Sequence, residues 1–266
     1  VNAGTATTIT GTLADINTAY AANVAGTVSG LGNESVTVTN DAGVSAADMN
    51  TLNGYTTGTV TAASVLTTTG SATDVSALYD AQGSGVDGLG NEAVTLSGTG
   101  ATAAELNNIA AKTSGQIDID TVTTITGTAS ATITALNDGQ IDNGGDQAVT
   151  LTDETLAATV LTELDGDTTG IVNAASVTTL TGATADLNTA YAANAAGTVS
   201  GLTNEAVTTS DATIADAATL VTLDAYTSGV IDATSIDTIT GSAADLASVY
   251  GSAGIDNFGD DDIVTV

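Results

Sequence analysis

Threonines alternate with apolar residues in a motif that recurs along the whole chain. The motif is Thr-x-Thr, usually with an apolar middle residue, as in Thr8-Ile9-Thr10 and Thr37-Val38-Thr39. Because side chains alternate across a strand, each copy directs two hydroxyls to one face and its middle residue to the other. Copies begin at residues 8, 37, 67, 95, 124, 150, 179, 208 and 238, the last of each pair sometimes being serine.

A short helix with an N-terminal capping pair is predicted after these strands. Ser or Thr is followed three residues later by an acid, an arrangement that satisfies exposed N–H groups of the first helical turn. Apolar residues then follow at helical spacing, as at Met49 and Leu52, which predicts one buried stripe. The capping pairs are Thr12/Asp15, Ser45/Asp48, Ser71/Asp74, Thr102/Glu105, Thr213/Asp216 and Ser242/Asp245. Helices are expected to begin near residues 13, 46, 72, 103, 129, 156, 184, 214 and 243.

A glycine corner and a second short strand complete each repeat, as in Gly58-Thr59-Val60-Thr61 and Gly115-Gln116-Ile117-Asp118. A repeat of this length that continues from end to end is typical of a solenoid. The sequence therefore predicts an α/β strand-helix solenoid. It would be a parallel β-sheet stack with one short helix per turn of about 28 residues and about nine turns. Two half-repeats alternate, so residues 1–266 would form one repeat domain with about 4.5 copies of a 57-residue double repeat.

Composition excludes several classes of function. The formal net charge is −30 and Lys112 is the single basic residue, which argues against nucleic acid and anionic membranes as partners. The sequence has no Cys and no His, so disulfides, thiolate metal sites and the commonest general base are excluded. No apolar run approaches the roughly 20 residues that a membrane span needs, so membrane insertion is not expected. We predict no catalytic residue and no enzymatic activity, and the acidic, cysteine-free composition favours an extracellular location.

The threonine motifs have two interpretations. Regular Thr-x-Thr rows on a flat solenoid are a feature of several antifreeze families, so one interpretation is an ice-binding face. The other is that threonine is a good strand former that stacks well on itself. The residues of this candidate face are Thr8, Thr10, Thr37, Thr39, Thr124, Thr126, Thr150, Thr152, Thr179, Thr181, Thr238 and Thr240.

A second column of polar residues follows the short strands and contains several aspartates. Asp87, Asp118 and Asp142 are expected on three successive turns, and Asp232 and Asp256 occupy the same position later in the chain. Neighbouring carboxylates repel, and oxygen ligands in an acidic protein favour calcium, so this column is a candidate calcium site. The alternative is that small polar residues cap a tight corner and no cofactor is bound.

Further polar and aromatic residues recur in every other turn. Asn33-Glu34, Asn91-Glu92 and Asn204-Glu205 are expected to be solvated acids at the start of a strand, and Asn33-Glu34-Ser35 is a single glycosylation sequon. The six tyrosines fall at the ends of helices, where they are expected to cover the core.

Two phrases of the repeat carry a resemblance to a known group of proteins. These are Gly-Leu-Gly-Asn-Glu-Ala-Val-Thr-Leu-Ser at 88–97 and Thr-Ala-Asp-Leu-Asn-Thr-Ala-Tyr-Ala at 184–192. The chain resembles tandem repeats of giant secreted cell-surface and adhesin-like proteins of marine picocyanobacteria and related bacteria. The resemblance covers almost the whole chain and implies a role at a cell surface, in a matrix or in an appendage. It implies no catalytic or binding residue.

The two ends of the chain suggest self-association. Val1-Asn2 matches Val172-Asn173 inside a repeat, and a strand is predicted at the other end, so neither end resembles the polar cap of a solenoid. The start at Val1 without a signal peptide suggests a processed product or a part of a longer protein. We predict an extracellular structural protein that stacks head to tail on copies of itself or forms part of a cell-surface fibre. An ice-binding protein and a calcium-rigidified adhesin spacer are the alternatives. The residues expected at the self-assembly ends are Val1, Asn2, Ile263, Val264 and Val266.

Overall fold

The computed structural model describes residues 1–40, 42–214, 216–256 and 263–266. The chain forms two compact units, one comprising Val1–Thr124 and Asn137–Gly144 and the other Ile125–Leu136 and Gly145–Val266. In both units short parallel strands alternate with short helices, and the polypeptide advances by one coil per helix. The predicted α/β strand-helix solenoid is confirmed.

Nine helices lie within the described residues. Their first residues run from 13 to 243 over eight steps, an average of about 29 residues per coil. Seven begin at the predicted residue, and α6 and α8 begin two and three residues later than predicted. The helices are α1 (Leu13–Val24), α2 (Ala46–Tyr55), α3 (Ala72–Asp80), α4 (Ala103–Lys112), α5 (Ala129–Leu136), α6 (Ala158–Asp167), α7 (Thr184–Ala196), α8 (Ala217–Tyr226) and α9 (Ala243–Gly251).

The strands are two to four residues long, and odd and even coils differ in their number. An even coil has up to three strands before its helix, whereas an odd coil has one or two. The strands of the first half are β1 (Thr8–Gly11), β2 (Ser35–Val38), β3 (Gly43–Ser45), β4 (Val60–Thr61), β5 (Thr67–Gly70), β6 (Val86–Asp87), β7 (Ala93–Leu96), β8 (Gly100–Thr102), β9 (Ile117–Asp118), β10 (Thr124–Gly127) and β11 (Ile141–Asp142). Those of the second half are β12 (Ala148–Leu151), β13 (Thr155–Ala157), β14 (Val172–Asn173), β15 (Thr179–Gly182), β16 (Val199–Ser200), β17 (Ala206–Thr209), β18 (Thr213–Ile214), β19 (Ile231–Asp232), β20 (Thr238–Thr240), β21 (Ile255–Asp256) and β22 (Ile263–Thr265).

The capping residues explain where most helices begin. Five predicted pairs are confirmed, because the N–H of the acidic residue donates to the hydroxyl of the N-cap. Among these five pairs, Thr102 and Glu105 form the reciprocal box, in which the carboxylate also accepts from the N-cap N–H. The predicted pair Thr213/Asp216 is wrong. Asp216 is itself the N-cap of α8 and accepts from Ala218, while Thr213 lies in β18.

Some helices receive a cap from a neighbouring coil, either in place of a cap of their own or in addition to it. The side chain of Ala183, the N-cap of α7, makes no hydrogen bond. The carboxylate of Asp211, in the following coil, accepts from both the N–H and the hydroxyl of Thr184. Asn40 accepts in the same way from the N–H of Leu13 at the start of α1. The helix ends are therefore satisfied partly across coils, which ties consecutive coils to each other.

The core lies between the helices and the inner face of the strands. The apolar positions predicted for the helical stripe are buried throughout: Ile16, Met49, Leu52, Val75, Leu78, Leu106, Ile109, Leu187, Leu246 and Val249. The inner strand positions meet them with a column such as Val36, Val60 and Val86, each fully buried and each paired with the next. Burial of this continuous apolar layer, rather than helix propensity, stabilises helices of only 8 to 13 residues.

Parallel ladders of paired strands connect the coils, but the pairing step of these ladders differs from the repeat of the helices. In the first unit the ladders run β1-β2-β4-β6 and β3-β5-β7-β9-β11. In the second unit β10, β12, β14 and β16 follow one another in one sheet, and β13-β15-β17-β19-β21 and β18-β20-β22 form two more. Paired residues are 23 to 27 positions apart, from Val94 with Ile117 to Leu180 with Val207. This step is shorter than the helix repeat. As a result, a ladder that starts at a strand immediately before a helix ends, a few coils later, at the first strand after a helix. The ladder from β3, immediately before α2, to β11, the first strand after α5, is an example.

Candidate functional site: outward columns and buried glutamates

The outward face of each ladder carries a column of small polar residues. In the ladder that begins with β3, the column is Ser45, Thr69, Thr95, Asp118 and Asp142, each beside the next. The ladder that begins with β13 continues from Thr181 through Thr208 and Asp232 to Asp256. Two columns were predicted, one of threonines and one of aspartates. The structure joins them, because the ladders drift relative to the repeat.

The predicted alignment of the Thr-x-Thr copies is therefore wrong in register. Thr8 lies opposite Ser35 and Thr10 opposite Thr37, so the second motif is displaced by two residues from the first. The partner of Thr37 on its other side is Thr61, in a short strand that follows a helix. Of the predicted face, Thr8, Thr10, Thr37, Thr39 and Thr152 are exposed, whereas the others are half-buried: Thr124, Thr126, Thr150, Thr179, Thr181, Thr238 and Thr240.

The predicted succession of Asp87, Asp118 and Asp142 on adjacent turns is also incorrect. Asp87 pairs with Thr61 at the end of the first ladder, whereas Asp118 and Asp142 pair with each other in the second. Asp232 and Asp256 form an equivalent pair.

The aspartates of this column support the corner-capping interpretation. Asp118 accepts from the N–H of Asp120, and Asp232 accepts from the N–H of Thr234, so both close an Asx turn. Asn2 and Asn173 do the same two residues ahead. Within the part of the chain that the structure describes, no three His, Cys, Asp or Glu side chains are grouped so as to hold a metal ion. Calcium binding at these aspartates stays a prediction.

The acids at the start of the middle strands are buried, which corrects the expectation that they are solvated. The exposed fraction of the residue is 0% for Glu34, 1% for Glu92 and 3% for Glu205, although the asparagine before each is exposed. A buried carboxylate is costly unless donors satisfy it. The hydrogen-bond donors around each carboxylate therefore determine whether its burial is tolerated.

One oxygen of the Glu34 carboxylate is bound by its own turn and by the preceding helix, whereas the other, Oε1, has no hydrogen-bond partner among the described residues. Its Oε2 accepts from the N–H of Gly32 at 2.8 Å, from the N–H of Asn33 at 3.2 Å and from the hydroxyl of Tyr20 at 2.9 Å. Tyr20 lies in α1, and its ring stacks on that of Tyr55 in α2 with 5.7 Å between centroids. The carboxylate thus ties a turn to two consecutive helices.

The same arrangement recurs at two further positions. The hydroxyl of Tyr79 donates to Glu92 at 2.8 Å, and the N–H of Gly90 donates to the same carboxylate. In the second unit, Tyr191 donates to Glu205 at 3.1 Å and the N–H of Thr203 at 2.8 Å. Tyr191 stacks on Tyr226 with the rings 6.0 Å apart. We call the pairs Tyr20–Glu34, Tyr79–Glu92 and Tyr191–Glu205 the tyrosine–glutamate ties.

One repeat replaces both members of the tie. Leu136 occupies the position of the tyrosine, the eighth residue of its helix, and Gln147 occupies the position of the glutamate. Gln147 is 2% exposed, and its Oε1 has no hydrogen-bond partner among the described residues. The pairing of tyrosine with glutamate could have been recognised in the sequence. Each tyrosine precedes its glutamate by 13 or 14 residues, and both residue types change together in one repeat.

The backbone around all four turns is common to the charged and the neutral form. A buried threonine that ends the even helix donates its hydroxyl to the carbonyl of the Glu or Gln, as Thr56 does to Glu34 at 2.8 Å and Thr168 to Gln147 at 2.6 Å. The hydroxyl also accepts from a glycine N–H two residues on, that of Gly58 or Gly170. These glycines lie against the carbonyl so closely that a Cβ would overlap it. Glycine is required at these positions because any side chain would collide with the carbonyl group.

The environment changes the acidity of both partners. Burial raises the pKa of Tyr20 to about 12, with the Thr56 hydroxyl opposing the rise and the Glu34 carboxylate adding to it. Burial also raises the pKa of Tyr79 and Tyr191. Burial alone would raise the pKa of Glu34, but the N–H donors and the Tyr20 hydroxyl outweigh it, and the net pKa lies below the ordinary value. The tyrosines therefore remain neutral donors and Glu34 remains an ionised acceptor at neutral pH.

A shallow groove lies between α7 and α8. Its volume is about 480 Å³, and it is lined by Asn188, Thr189, Ala192, Ala218, Thr219, Thr222 and Tyr226. The hydroxyls of Thr189 and Thr222 donate to carbonyls of their own helices. The described lining of the groove contains no pair of a nucleophile and a base.

Val1, Asn2, Val264 and Val266, which were predicted at the self-assembly ends, are exposed. The side chains of Val1, Val264 and Val266 are 91%, 46% and 88% exposed. The amino group of Val1 donates to the carbonyl of Thr27, and Asn2 forms a parallel bridge to Ser29. Ile263 begins β22, and its side chain lies outside the described part of the structure.

No family model, curated protein or solved structure significantly matches this chain. Among the described residues, no helix is both long enough and apolar enough to cross a membrane.

Proposed function

We propose that this chain is an extracellular structural protein whose coils stack on copies of itself or on further coils of a cell-surface fibre. The observation that carries the proposal is the open outer edge of the strands at both ends of the coil series. β1 pairs with β2 alone, and β22 pairs with β20 alone, among the residues that the structure describes. Open parallel edges with unpaired N–H and C=O groups favour the addition of another strand.

The direction of the backbone groups identifies which residues would make this contact. The N–H of Ser35 donates to Thr7 and that of Thr39 donates to Gly11, so these alternate carbonyls of the first strand face β2. The peptide groups of Thr8 and Thr10 consequently face the open side. At the other end, the N–H of Gly241 donates to Thr265, so the N–H of Val264 faces the open side.

The chemistry of the rest of the chain fits a role through shape. The described helices and strands repeat the same contacts in coil after coil, and the charged residues are almost all acidic, which favours solubility outside cells and disfavours nucleic acid. A heterologous contact between the two different ends would propagate without closing, and the product would be a filament.

Replacing the residues with outward N–H groups by proline tests the proposal. Thr10→Pro and Val264→Pro remove an N–H from an open edge and leave the bonds inside β1-β2 and β20-β22 in place. We expect the parent to show a mass that rises with concentration in light scattering and filaments in negative-stain micrographs, and both proline variants to stay monomeric. Thr10→Val, which keeps the N–H, is the matched control and should associate like the parent. A parent that is monodisperse at all concentrations would overturn the proposal.

Ice binding is a second candidate, and the in-register column Ser45, Thr69 and Thr95 favours it. The column is short, since its next members are Asp118 and Asp142. If this face binds ice, the protein shows thermal hysteresis at micromolar concentration, and Thr69→Lys abolishes it while Thr51→Lys on the exposed side of α2 does not. Absence of hysteresis in the parent removes this candidate.

A further inference from the structure

The tyrosine–glutamate ties divide the even coils into three that hold a buried glutamate and one that does not. Glu34, Glu92 and Glu205 each accept from the N–H two residues earlier in the chain, which belongs to Gly32, Gly90 or Thr203. The turn before β12 has the neutral Gln147 in the same buried position.

Each carboxylate lies at a junction of two consecutive coils. In the case of Glu34, the side chain binds Tyr20 in α1 and its own turn, while its carbonyl accepts from Thr56 at the end of α2. Loss of the negative charge would weaken the bonds of the side chain and leave the bond to the carbonyl unchanged. Protonation would therefore release the turn from the preceding helix and leave its attachment to the following helix.

The groups that face each carboxylate do not compensate for that change. From the neighbouring helices, Glu34 is faced by Tyr20 and, behind it, Tyr55, and Glu205 by Tyr191 and Tyr226. Beside Glu92 are Tyr79 and the end of α4, where the side chain of Lys112 is exposed and its carbonyl lies near Gly90. Among the groups named here, the glutamate is the one carboxyl group at each tie.

We propose that the three ties are acid-sensitive contacts. At low pH they break and release the turns before β2, β7 and β17, while the turn before β12 stays in place. This inference does not depend on the proposed structural role. The expected direction of the pH dependence of stability follows from Glu34. Its folded pKa is depressed, so its stabilisation is present above the ordinary value for glutamate and is lost as the pH falls through the folded value.

Amide exchange measured by NMR at individual residues tests the proposal in the intact chain. The amides of Gly32, Gly90 and Thr203 report on the ties, and those of Val36, Val94 and Val207, which donate across the ladder in the same coils, serve as references. Between pH 7 and pH 3, after correction for the intrinsic pH dependence, we expect the reporters to exchange at least about tenfold faster relative to their references. The turn before β12 should not change. Equal acceleration of reporters and references, or acceleration at all four turns, would overturn the proposal, as would no acceleration at all.

Two variants separate the ties from general acid unfolding. Glu34→Gln should make exchange at Gly32 independent of pH while Gly90 and Thr203 still respond. The double variant Leu136→Tyr and Gln147→Glu should give the neutral turn the acid response, read at the amide of Gly145. The double variant also provides a gain of response should Glu34→Gln fail to fold. Failure of the installed pair to respond in a folded protein would contradict the assignment.

Discussion

The turns before β7 and β12 have the same backbone framework and opposite chemistry. Glu92 and Gln147 are both buried, and the carbonyl of each accepts the hydroxyl of a threonine that ends a helix. The first turn adds a carboxylate bound to Tyr79, whereas the second has Leu136 and an amide oxygen without a partner. The glycine–threonine framework therefore forms the turn in both cases, and the tyrosine–glutamate tie is added to it as a pair. One partner without the other would leave a buried polar group unsatisfied.

The largest expected effect falls on both turns equally. Gly115→Ala and Gly170→Ala place a Cβ against the carbonyl of Glu92 and of Gln147, and the backbone must move. We expect each variant to lower the free energy of unfolding by about 3 kcal/mol in a urea titration. Gly139→Ala, where a Cβ meets nothing within 4 Å, is the control and should change it little. A large difference between the two turns would show that the framework is not common to them.

Removing the buried acid should distinguish the turns. Glu92→Met leaves the Tyr79 hydroxyl and the Gly90 N–H without an acceptor, and we expect a loss of about 2 kcal/mol in the same measurement. Gln147→Met removes an amide whose oxygen has no partner, so it should be neutral or slightly stabilising. Equal losses in the two variants would argue against a stabilising role for the tie.

A smaller change tests the tyrosine alone. Tyr79→Phe keeps the buried ring and removes one hydrogen bond to a carboxylate, for which we expect a loss of about 1.5 kcal/mol. Tyr226→Phe is the matched control, because this residue is 39% exposed and its ring is stacked on Tyr191, but its hydroxyl is not the donor to Glu205. If both variants lose the same stability, ring packing rather than the hydrogen bond is responsible.

The smallest expected effect concerns the helix that follows each turn. Thr102→Ala removes the reciprocal capping box of α4 and should cost about 1 kcal/mol. Ala157→Ser would supply a hydroxyl at the N-cap of α6, whose own side chain makes no cap bond, and should recover a similar amount. No gain from Ala157→Ser would indicate that the cross-coil contacts already satisfy this helix end.

The helices were predictable because the signals that start them are local. A Ser or Thr and an acid three residues later lie within one turn of chain, so the positions of α2 and α4 follow from the sequence. The later start of α8 could not be predicted, since Asp216 competes with Thr213 for the cap and tertiary pairing of β18 decides between them.

The register and the buried acids were beyond local reasoning. Pairing depends on how many residues the chain needs to pass around the helix, and Thr10 faces Thr37 rather than Thr39 because that path is shorter than the sequence repeat. Glu34 follows an exposed asparagine and precedes an exposed serine, so its neighbours indicate a surface position. Only the distant Tyr20 reveals its burial, through the spacing that the repeats share.

The drift of the ladders has a mechanical consequence within each unit. In the first unit the ladder from β1 ends at β6, while the ladder from β3 begins one coil later than the first and continues to β11. Their ends lie in different coils, so no single coil is a seam through which every strand connection stops. The two sheets therefore overlap along the coils. If the strands separate at the end of one ladder, the paired strands in the middle of the other still hold the neighbouring coils together.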